Sequence, residues 1–219
     1  TTMRGGTVVV LSKPDPQLML AAIARHKVTE LFLPPTVIYR LLDIPELNKK
    51  VDLSSLQYFY YGAAPMSVEK LKLALQVFGP VMSGGYGQTE APGTISTLPP
   101  TEHFIAGKVG DDERLSSVGR PNPLIRVEMM SDDNKILPRG ETGEICVRGD
   151  LVMKGYYKDP AKTAEAITDG WLHTGDVGYI DNGGFLHITD RKRDMIISGG
   201  FNVYPSEVEQ VIWGHPAVQ

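Results

Sequence analysis

Between Thr7 and Gly93 short β-rich runs alternate with segments of helical period, and this alternation constrains the fold more than any other feature of the chain. Strand, helix, strand, helix in close succession builds an α/β unit. Residues 8–11, all apolar, read as a first strand. Asp15 then stands as an N-cap before Pro16 at the first helical position, with Leu18, Ala22 and Ile23 on one face of a helix ending near His26. Leu31, Phe32 and Leu33 form the next strand, and Pro34-Pro35 opens a helix carrying Val37, Ile38, Leu41 and Leu42. Residues 58–61 are a third strand. Ser67 caps a helix with Val68, Leu71, Leu75 and Phe78 on its apolar face, Gly79-Pro80 ends it, and residues 81–86 are a fourth strand.

From about Thr94 to Thr189 the texture changes. Gly and Pro punctuate short alternating segments, residues 125–130, 143–148 and 185–189, with Asn182-Gly183-Gly184 as a hairpin turn. This pattern predicts a small distorted β-barrel. A new unit starts after Asp190, with strands over residues 195–197 and 201–204. There Ser206 and Glu209 form a capping box on a helix that ends at Gly214.

The chain of 219 residues, 42% hydrophobic and 22% charged, is long enough for one or two domains with a sizeable core. A net charge of −4 with no domain-wide basic stripe argues against general nucleic-acid binding; the one local cluster is Arg191-Lys192-Arg193. Cys146 has no intrachain disulfide partner and reads as a small buried hydrophobe in a strand, so the cytoplasm is the expected location. No apolar run approaches the ~18 residues of a membrane span, and the opening Thr-Thr-Met-Arg-Gly-Gly does not read as a signal peptide.

The chemistry concentrates in Gly85-Tyr86-Gly87-Gln88-Thr89-Glu90. A ring can stack on a purine, glycine lets backbone N–H groups approach phosphate, and threonine beside glutamate can hold a phosphate oxygen and its Mg²⁺. Taken alone the string reads first as an ordinary strand-to-turn corner. Three further stretches accompany it: Tyr61-Gly62-Ala63-Ala64-Pro65, then Gly170-Trp171-Leu172-His173-Thr174-Gly175-Asp176, then Asp190-Arg191-Lys192-Arg193-Asp194 leading into Ser198-Gly199-Gly200-Phe201-Asn202.

With these motifs in this order the chain resembles, from end to end, the adenylate-forming superfamily of acyl-CoA synthetases, peptide-synthetase adenylation domains and beetle luciferases. Residues 200–209, Gly-Phe-Asn-Val-Tyr-Pro-Ser-Glu-Val-Glu, look most like the bacterial fatty-acyl-CoA ligases. The resemblance implies an α/β nucleotide- and acyl-binding subdomain over residues 1–93, the β-barrel subdomain over 94–189, and over 190–219 a hinge with the start of a mobile α+β C-terminal lobe. It implies that ATP, Mg²⁺ and CoA act on a small-molecule carboxylic acid, a fatty acid by the closest likeness. The acid is activated as an acyl-adenylate and then passed to the thiol.

By resemblance, Tyr86 stacks on adenine while Gly62, Ala63 and Ala64 present backbone to the base edge. Gly87, Gln88 and Thr89 contact the nucleotide, with Thr89 on an α-phosphate oxygen, and Glu90 ligates Mg²⁺. Asp176 accepts both ribose hydroxyls, Arg191 contacts ribose or phosphate, and Arg193 is the hinge. Gly199, Gly200 and Phe201 form the loop that meets the pantetheine arm of CoA. Plainer roles stand beside these: a helix-start carboxylate for Glu90, a turn aspartate for Asp176, and a solvated charge run for Lys192 and Arg193.

Relatives carry a Ser/Thr/Gly-rich phosphate loop ending in lysine upstream of this region, and a catalytic lysine downstream. Neither motif is in this sequence, so both ends read as cut and the piece alone is expected to be inactive. Gly84 stands where relatives carry a larger residue. Phe32, Tyr60, Tyr61 and Met82 are candidates for the acyl pocket or for plain core. An adenylation domain that loads a carrier protein, and a non-catalytic nucleotide-binding module, remain as alternatives.

Overall fold

In a computed structural model, which describes residues 5–194, 196–198 and 201–213, the chain divides into two units, Thr1–Ser83 and Gly84–Gln219. The first unit holds helix α1 (Pro16–His26), strand β1 (Glu30–Leu33), helices α2 (Pro35–Leu42) and α3 (Leu47–Lys50), strand β2 (Tyr58–Tyr61) and helix α4 (Val68–Phe78). Its helices begin where capping residues put them. The Asp15 carboxylate accepts from the Leu18 N–H at 3.1 Å, and Ser67 caps α4 while its own N–H donates to the Tyr39 hydroxyl at 2.8 Å.

Strands β1 and β2 pair in parallel, with Leu33 opposite Tyr61. The period of two decides which of their side chains are buried. Phe59 and Tyr61 are buried, and the Phe59 ring meets Phe78 of α4 edge-on at 4.8 Å. Tyr58 and Tyr60 point the other way, exposed and stacked 5.9 Å apart. Of the candidates for a pocket wall, Tyr61 and Met82 are therefore core, whereas Phe32 and Tyr60 are exposed. Residues 8–11 do not form the expected strand: they are exposed, and no described strand pairs with them.

Strand β3 (Met82–Gln88) begins at the end of the first unit and runs into the second. There follow β4 (Ala91–Leu98), the short hairpin β5 (Phe104–Ile105) and β6 (Lys108–Val109), helix α5 (Asp112–Ser116), and β7 (Arg120–Pro121). Next come β8 (Arg126–Met130), β9 (Gly143–Arg148), helix α6 (Pro160–Ala166), β10 (Ile167–Thr168), β11 (Trp171–Ile180) and β12 (Leu186–Arg191). Strand β4 folds back antiparallel on β3, with Gly85 opposite Thr97, and β7 pairs with its other edge. Thr89 and Glu90 are thus the turn of a hairpin, which removes the helix-start reading of Glu90.

The second sheet has the order β10-β11-β9-β8, with β12 on β11. The strands expected for a barrel are present, and so is the turn over residues 182–184. No ladder joins β8 to β12 among the described residues, so the sheet stays open rather than closing into the expected barrel. Its inner face packs Val127, Met129, Ile145, Val147, Leu172 and Leu186 against Tyr86 and Ile95. The chain continues as the antiparallel pair β13 (Ile196–Ser198) and β14 (Phe201–Val203), then helix α7 (Pro205–Trp213). Helix α7 starts at Pro205, whose missing N–H costs nothing in a first turn, so Ser206 lies inside the helix rather than capping it. Gly214 is outside the described residues. No helix among the described residues is long and apolar enough to cross a membrane.

Gly119 is where two backbones come closest: its φ is +84°, and an added Cβ would overlap the Thr97 carbonyl. Gly119→Ala should lower the free energy of unfolding by more than about 2 kcal/mol in a urea titration followed by circular dichroism. Gly140, at φ +90° with nothing near its Cβ position, supplies the control, and Gly140→Ala should cost only about 1 kcal/mol. Equal losses at both positions would show that close approach is not what fixes Gly119.

Candidate active site

Stretches far apart in sequence meet along one open cleft of about 680 Å³ in the second unit. Its walls are residues 87–90 from the end of β3 and its turn, Tyr156, residues 172–175 of β11, and residues 191–193 at the end of β12.

Strand β11 follows β9 up to His173 and again from Val177, but the register shifts between them, so residues 174–176 form a bulge. Gly175 takes φ +73°, open to glycine at no steric cost. The Thr174 hydroxyl donates to the Ile145 carbonyl at 2.7 Å and accepts from the Asp176 N–H at 3.1 Å, replacing the interrupted ladder. Asp176 then lies opposite Arg191 of β12. Its Oδ2 accepts from the Tyr86 hydroxyl at 2.5 Å and from Gln88 Nε2 at 2.9 Å, and its Oδ1 stands 3.6 Å from Arg191 Nε. Gln88 Nε2 also donates to the Thr174 carbonyl at 2.8 Å. Asp176 is only 7% exposed, and a carboxylate so placed persists because several donors converge on it. Burial first, and the Asp176 charge second, push the Tyr86 hydroxyl above its ordinary value, so it remains a donor.

Across the cleft, Glu90 Oε1 accepts from the Tyr156 hydroxyl at 2.8 Å, and the Glu90 carbonyl accepts from the Met153 N–H at 2.7 Å. The hydrogen bond to Glu90 raises the Tyr156 pKa. A second carboxylate, Glu144, braces the bulge from β9. Its Oε1 accepts from the Gly175 N–H at 3.1 Å, and its Oε2 faces His173 Nδ1 and Lys192 Nζ, each at 3.2 Å. Lys192 Nζ also meets Asp132 at 2.8 Å, and those two carboxylates, Asp132 first, raise its pKa. Burial, and then Glu144, push the Cys146 thiol up to about 12.

Of the residues singled out from sequence, Gly87, Gln88, Thr89, Glu90, Arg191 and Arg193 line the cleft. The Tyr86 ring is 8% exposed and packs in the core, joined to the site through its hydroxyl on Asp176. Arg193 points largely to solvent, with its Nε 3.5 Å from Asp194. Gly62, Ala63 and Ala64 belong to the first unit and follow β2; Ala63 holds a left-handed φ of 66°, strained for a residue with a Cβ. Phe201 lies in the backbone of β14, and Gly199 and Gly200 are outside the described residues.

Sequence reasoning missed Glu144, His173, Tyr156 and the anchoring of Lys192. A signal existed for the first: in the alternating run Glu-Ile-Cys-Val-Arg, the apolar Ile145 and Val147 mark one face, which leaves Glu144 and Cys146 together on the other.

Residues 1–157 match the AMP-binding enzyme family, and the chain belongs to that family. It is 44% identical over 218 residues to a medium/long-chain-fatty-acid–CoA ligase of Mycobacterium tuberculosis, covering 100% of this chain and 37% of that protein. Among solved structures, the amide bond synthetase McbA of Marinactinospora thermotolerans superposes with a TM-score of 0.89 at 42% identity, over 96% of this chain and 41% of that one. The O-succinylbenzoate coenzyme A synthetase of Bacillus subtilis, in complex with ATP and magnesium ion, gives a TM-score of 0.85 at 35% identity, over 98% and 42%. The chain thus spans well under half the length of the relatives it matches.

The raised Tyr86 pKa has a consequence for stability. Above the ordinary tyrosine value of 10.0 the unfolded chain loses this proton while the folded chain keeps it, so stability present below that pH is lost as pH rises. Unfolding free energy should hold up to about pH 9 and fall beyond about pH 10. Tyr86→Phe should make that fall shallower and cost about 1–2 kcal/mol at neutral pH, because Asp176 loses a donor. Tyr61, also raised by burial, keeps part of the slope. An unchanged alkaline slope in Tyr86→Phe would contradict this account.

Proposed function

We propose that the whole protein is an AMP-forming acid–thiol ligase that activates a carboxylic acid, a fatty acid in the first instance, and transfers it to CoA. In the first half-reaction a carboxylate oxygen attacks the α-phosphorus of ATP. The bond to the bridging oxygen breaks, and pyrophosphate leaves. In the second the CoA sulfur attacks the acyl carbon, its proton passes to solvent, and AMP leaves. Such chemistry needs positioning and charge neutralisation more than a protein nucleophile.

The observation that supports this reading is the single cleft on which residues 87–90, 172–175 and 191–193 meet, three stretches each tied by sequence to one mononucleotide. Asp176 Oδ1, whose described neighbour is Arg191 at 3.6 Å, is the acceptor for ribose hydroxyls, and Arg191 balances its charge. Thr89 and the backbone of Gly87 and Gln88 face phosphate. Glu90 offers a hard carboxylate oxygen on the cleft wall while Tyr156 steadies the other, a donor suited to Mg²⁺, which would neutralise phosphate charge when bound. In the same reading Tyr86 serves the adenine, Arg193 is the hinge, and Gly199, Gly200 and Phe201 serve the CoA arm. Residues 1–93, 94–189 and 190–219 are then the acyl- and nucleotide-binding part, the β-rich part and the start of the moving lobe. Substrates such as ATP and CoA fit a cytoplasmic enzyme.

The likeness to an amide bond synthetase supports a second reading of the acceptor step alone, with an amine in place of the thiol.

Whole protein incubated with ATP, Mg²⁺, CoA and a series of fatty acids should release AMP and pyrophosphate. Mass spectrometry would then separate thioester from amide, and release of orthophosphate alone would reject the ligase reading. By calorimetry, Asp176→Asn should bind AMP at least about ten-fold more weakly, or ~1.4 kcal/mol. Unchanged affinity would remove Asp176 from the nucleotide site.

A further inference from the structure

The β8–β9–β11 ladder has a second face that borders the cleft at His173 and to which the proposed reaction gives no chemical role. Ile145, Val147 and Leu172 go to the core, so by the period of two Glu144, Cys146 and His173 share the opposite face. His173 is the direct cross-strand partner of Cys146, and Glu144 lies two residues before Cys146 on the same strand. Their donor atoms converge: Cys146 Sγ is 3.5 Å from His173 Nδ1, which is 3.2 Å from Glu144 Oε2, and all three lie within 4.8 Å of one another.

Those separations are informative. With metal–ligand bonds of about 2.0–2.3 Å, neighbouring ligands on a tetrahedral Zn²⁺ stand about 3.3–3.8 Å apart. The thiol–imidazole and imidazole–carboxylate spacings fall in or just below that range, and the thiol–carboxylate spacing, no more than 4.8 Å, closes to it by rotation of the Glu144 side chain. A sulfur, a nitrogen and a carboxylate oxygen select borderline-soft cations over hard Mg²⁺. Thiolate and carboxylate together carry two negative charges, which balance a divalent ion.

We propose that Glu144, Cys146 and His173 form a binding site for a divalent cation of the Zn²⁺ class, distinct from the Mg²⁺ ligand proposed at Glu90. Binding forms a metal–sulfur bond as the Cys146 proton goes to solvent, and it uses the Nδ1 lone pair of His173, with that ring's proton on Nε2. Three protein ligands leave a fourth position for water. Lys192 Nζ, 3.2 Å from Glu144 Oε2, competes for the same oxygen, and Asp132, 2.8 Å from Nζ, retains it when the cation enters. The site therefore reads out through Lys192.

Because the sequence has one cysteine, any thiolate signal comes from Cys146. Tag-free 219-residue chain, its fold verified by circular dichroism, is titrated with Co²⁺, whose thiolate complexes absorb in the near ultraviolet. A saturable one-to-one band is expected. It should be lost in Cys146→Ser and weakened at least ten-fold in affinity in His173→Asn and Glu144→Gln, whereas Lys192→Met should tighten binding several-fold. Zn²⁺ should abolish the band and slow alkylation of Cys146 in the unmodified chain, a readout that does not depend on any variant folding; Mg²⁺ at equal concentration should do neither. No band in folded protein, or a band indifferent to His173→Asn and Glu144→Gln, would overturn the proposal.

Discussion

The second unit is organised around the carboxylate of Asp176. One oxygen takes two donors from β3, the Tyr86 hydroxyl and the Gln88 amide, while the other faces Arg191 of β12. Strand β3, which shares no ladder with the β11–β12 pair, is thereby tied to it by side chains. A buried carboxylate stripped of such partners costs several kcal/mol, so removing any donor is felt across the strands at once. That explains why a phenol lies deep in an apolar cluster with Ile95, Val127 and Leu172: its hydroxyl is the far end of an ion-pair network.

The two carboxylates flanking Gly175 differ in what they have left to offer. Asp176 Oδ2 is saturated, but Oδ1 has only a guanidinium at 3.6 Å among its described contacts, long for a full hydrogen bond. That oxygen therefore keeps acceptor capacity that Oδ2 has already spent on Tyr86 and Gln88. Glu144 has donors on both oxygens, so a new ligand enters only by displacing one. Lys192, 45% exposed, is the cheapest to release, because solvent takes over an exposed ammonium readily.

Much of the first unit was legible in the sequence because its signals are local. Asp15, Ser67 and Gly79 fix helix ends through bonds within a few residues, Pro35 opens α2, and residues 58–61 form the expected strand, though which of its four aromatic residues face inward was set only by its neighbours. Residues 8–11 misled for a reason local pattern cannot see: a strand exists only where another edge accepts its hydrogen bonds. Barrel closure failed likewise, since short alternating strands are compatible with both open and closed sheets. At the site, motif residues brought Thr89, Glu90 and Arg191 to one cleft. Glu144, His173 and Lys192 stayed hidden because their pairing depends on a bulge in β11 and on which strand neighbours which. Lys192 reads from sequence as one more charge in a solvated run, and only tertiary placement sets it between Asp132 and Glu144.

A ring of bonds closes around Gly175. Its carbonyl accepts from the Lys192 N–H at 2.8 Å, its N–H donates to Glu144 at 3.1 Å, and Glu144 returns to Lys192 through the ammonium at 3.2 Å. Residues 190–194 thus cannot shift without disturbing the residue next to Asp176. The backbone bond contributes on the order of 1 kcal/mol, and the half-exposed ion pair adds no more than about that after solvent screening. A tether on the order of 2 kcal/mol corresponds to a population ratio of about thirty, large enough to favour one arrangement and small enough for a ligand with different contacts in the two states to reverse. Arg191, Lys192 and Arg193 are exposed charged groups that solvent can receive, so these bonds, and not buried apolar contacts of their side chains, set the strength of the tether.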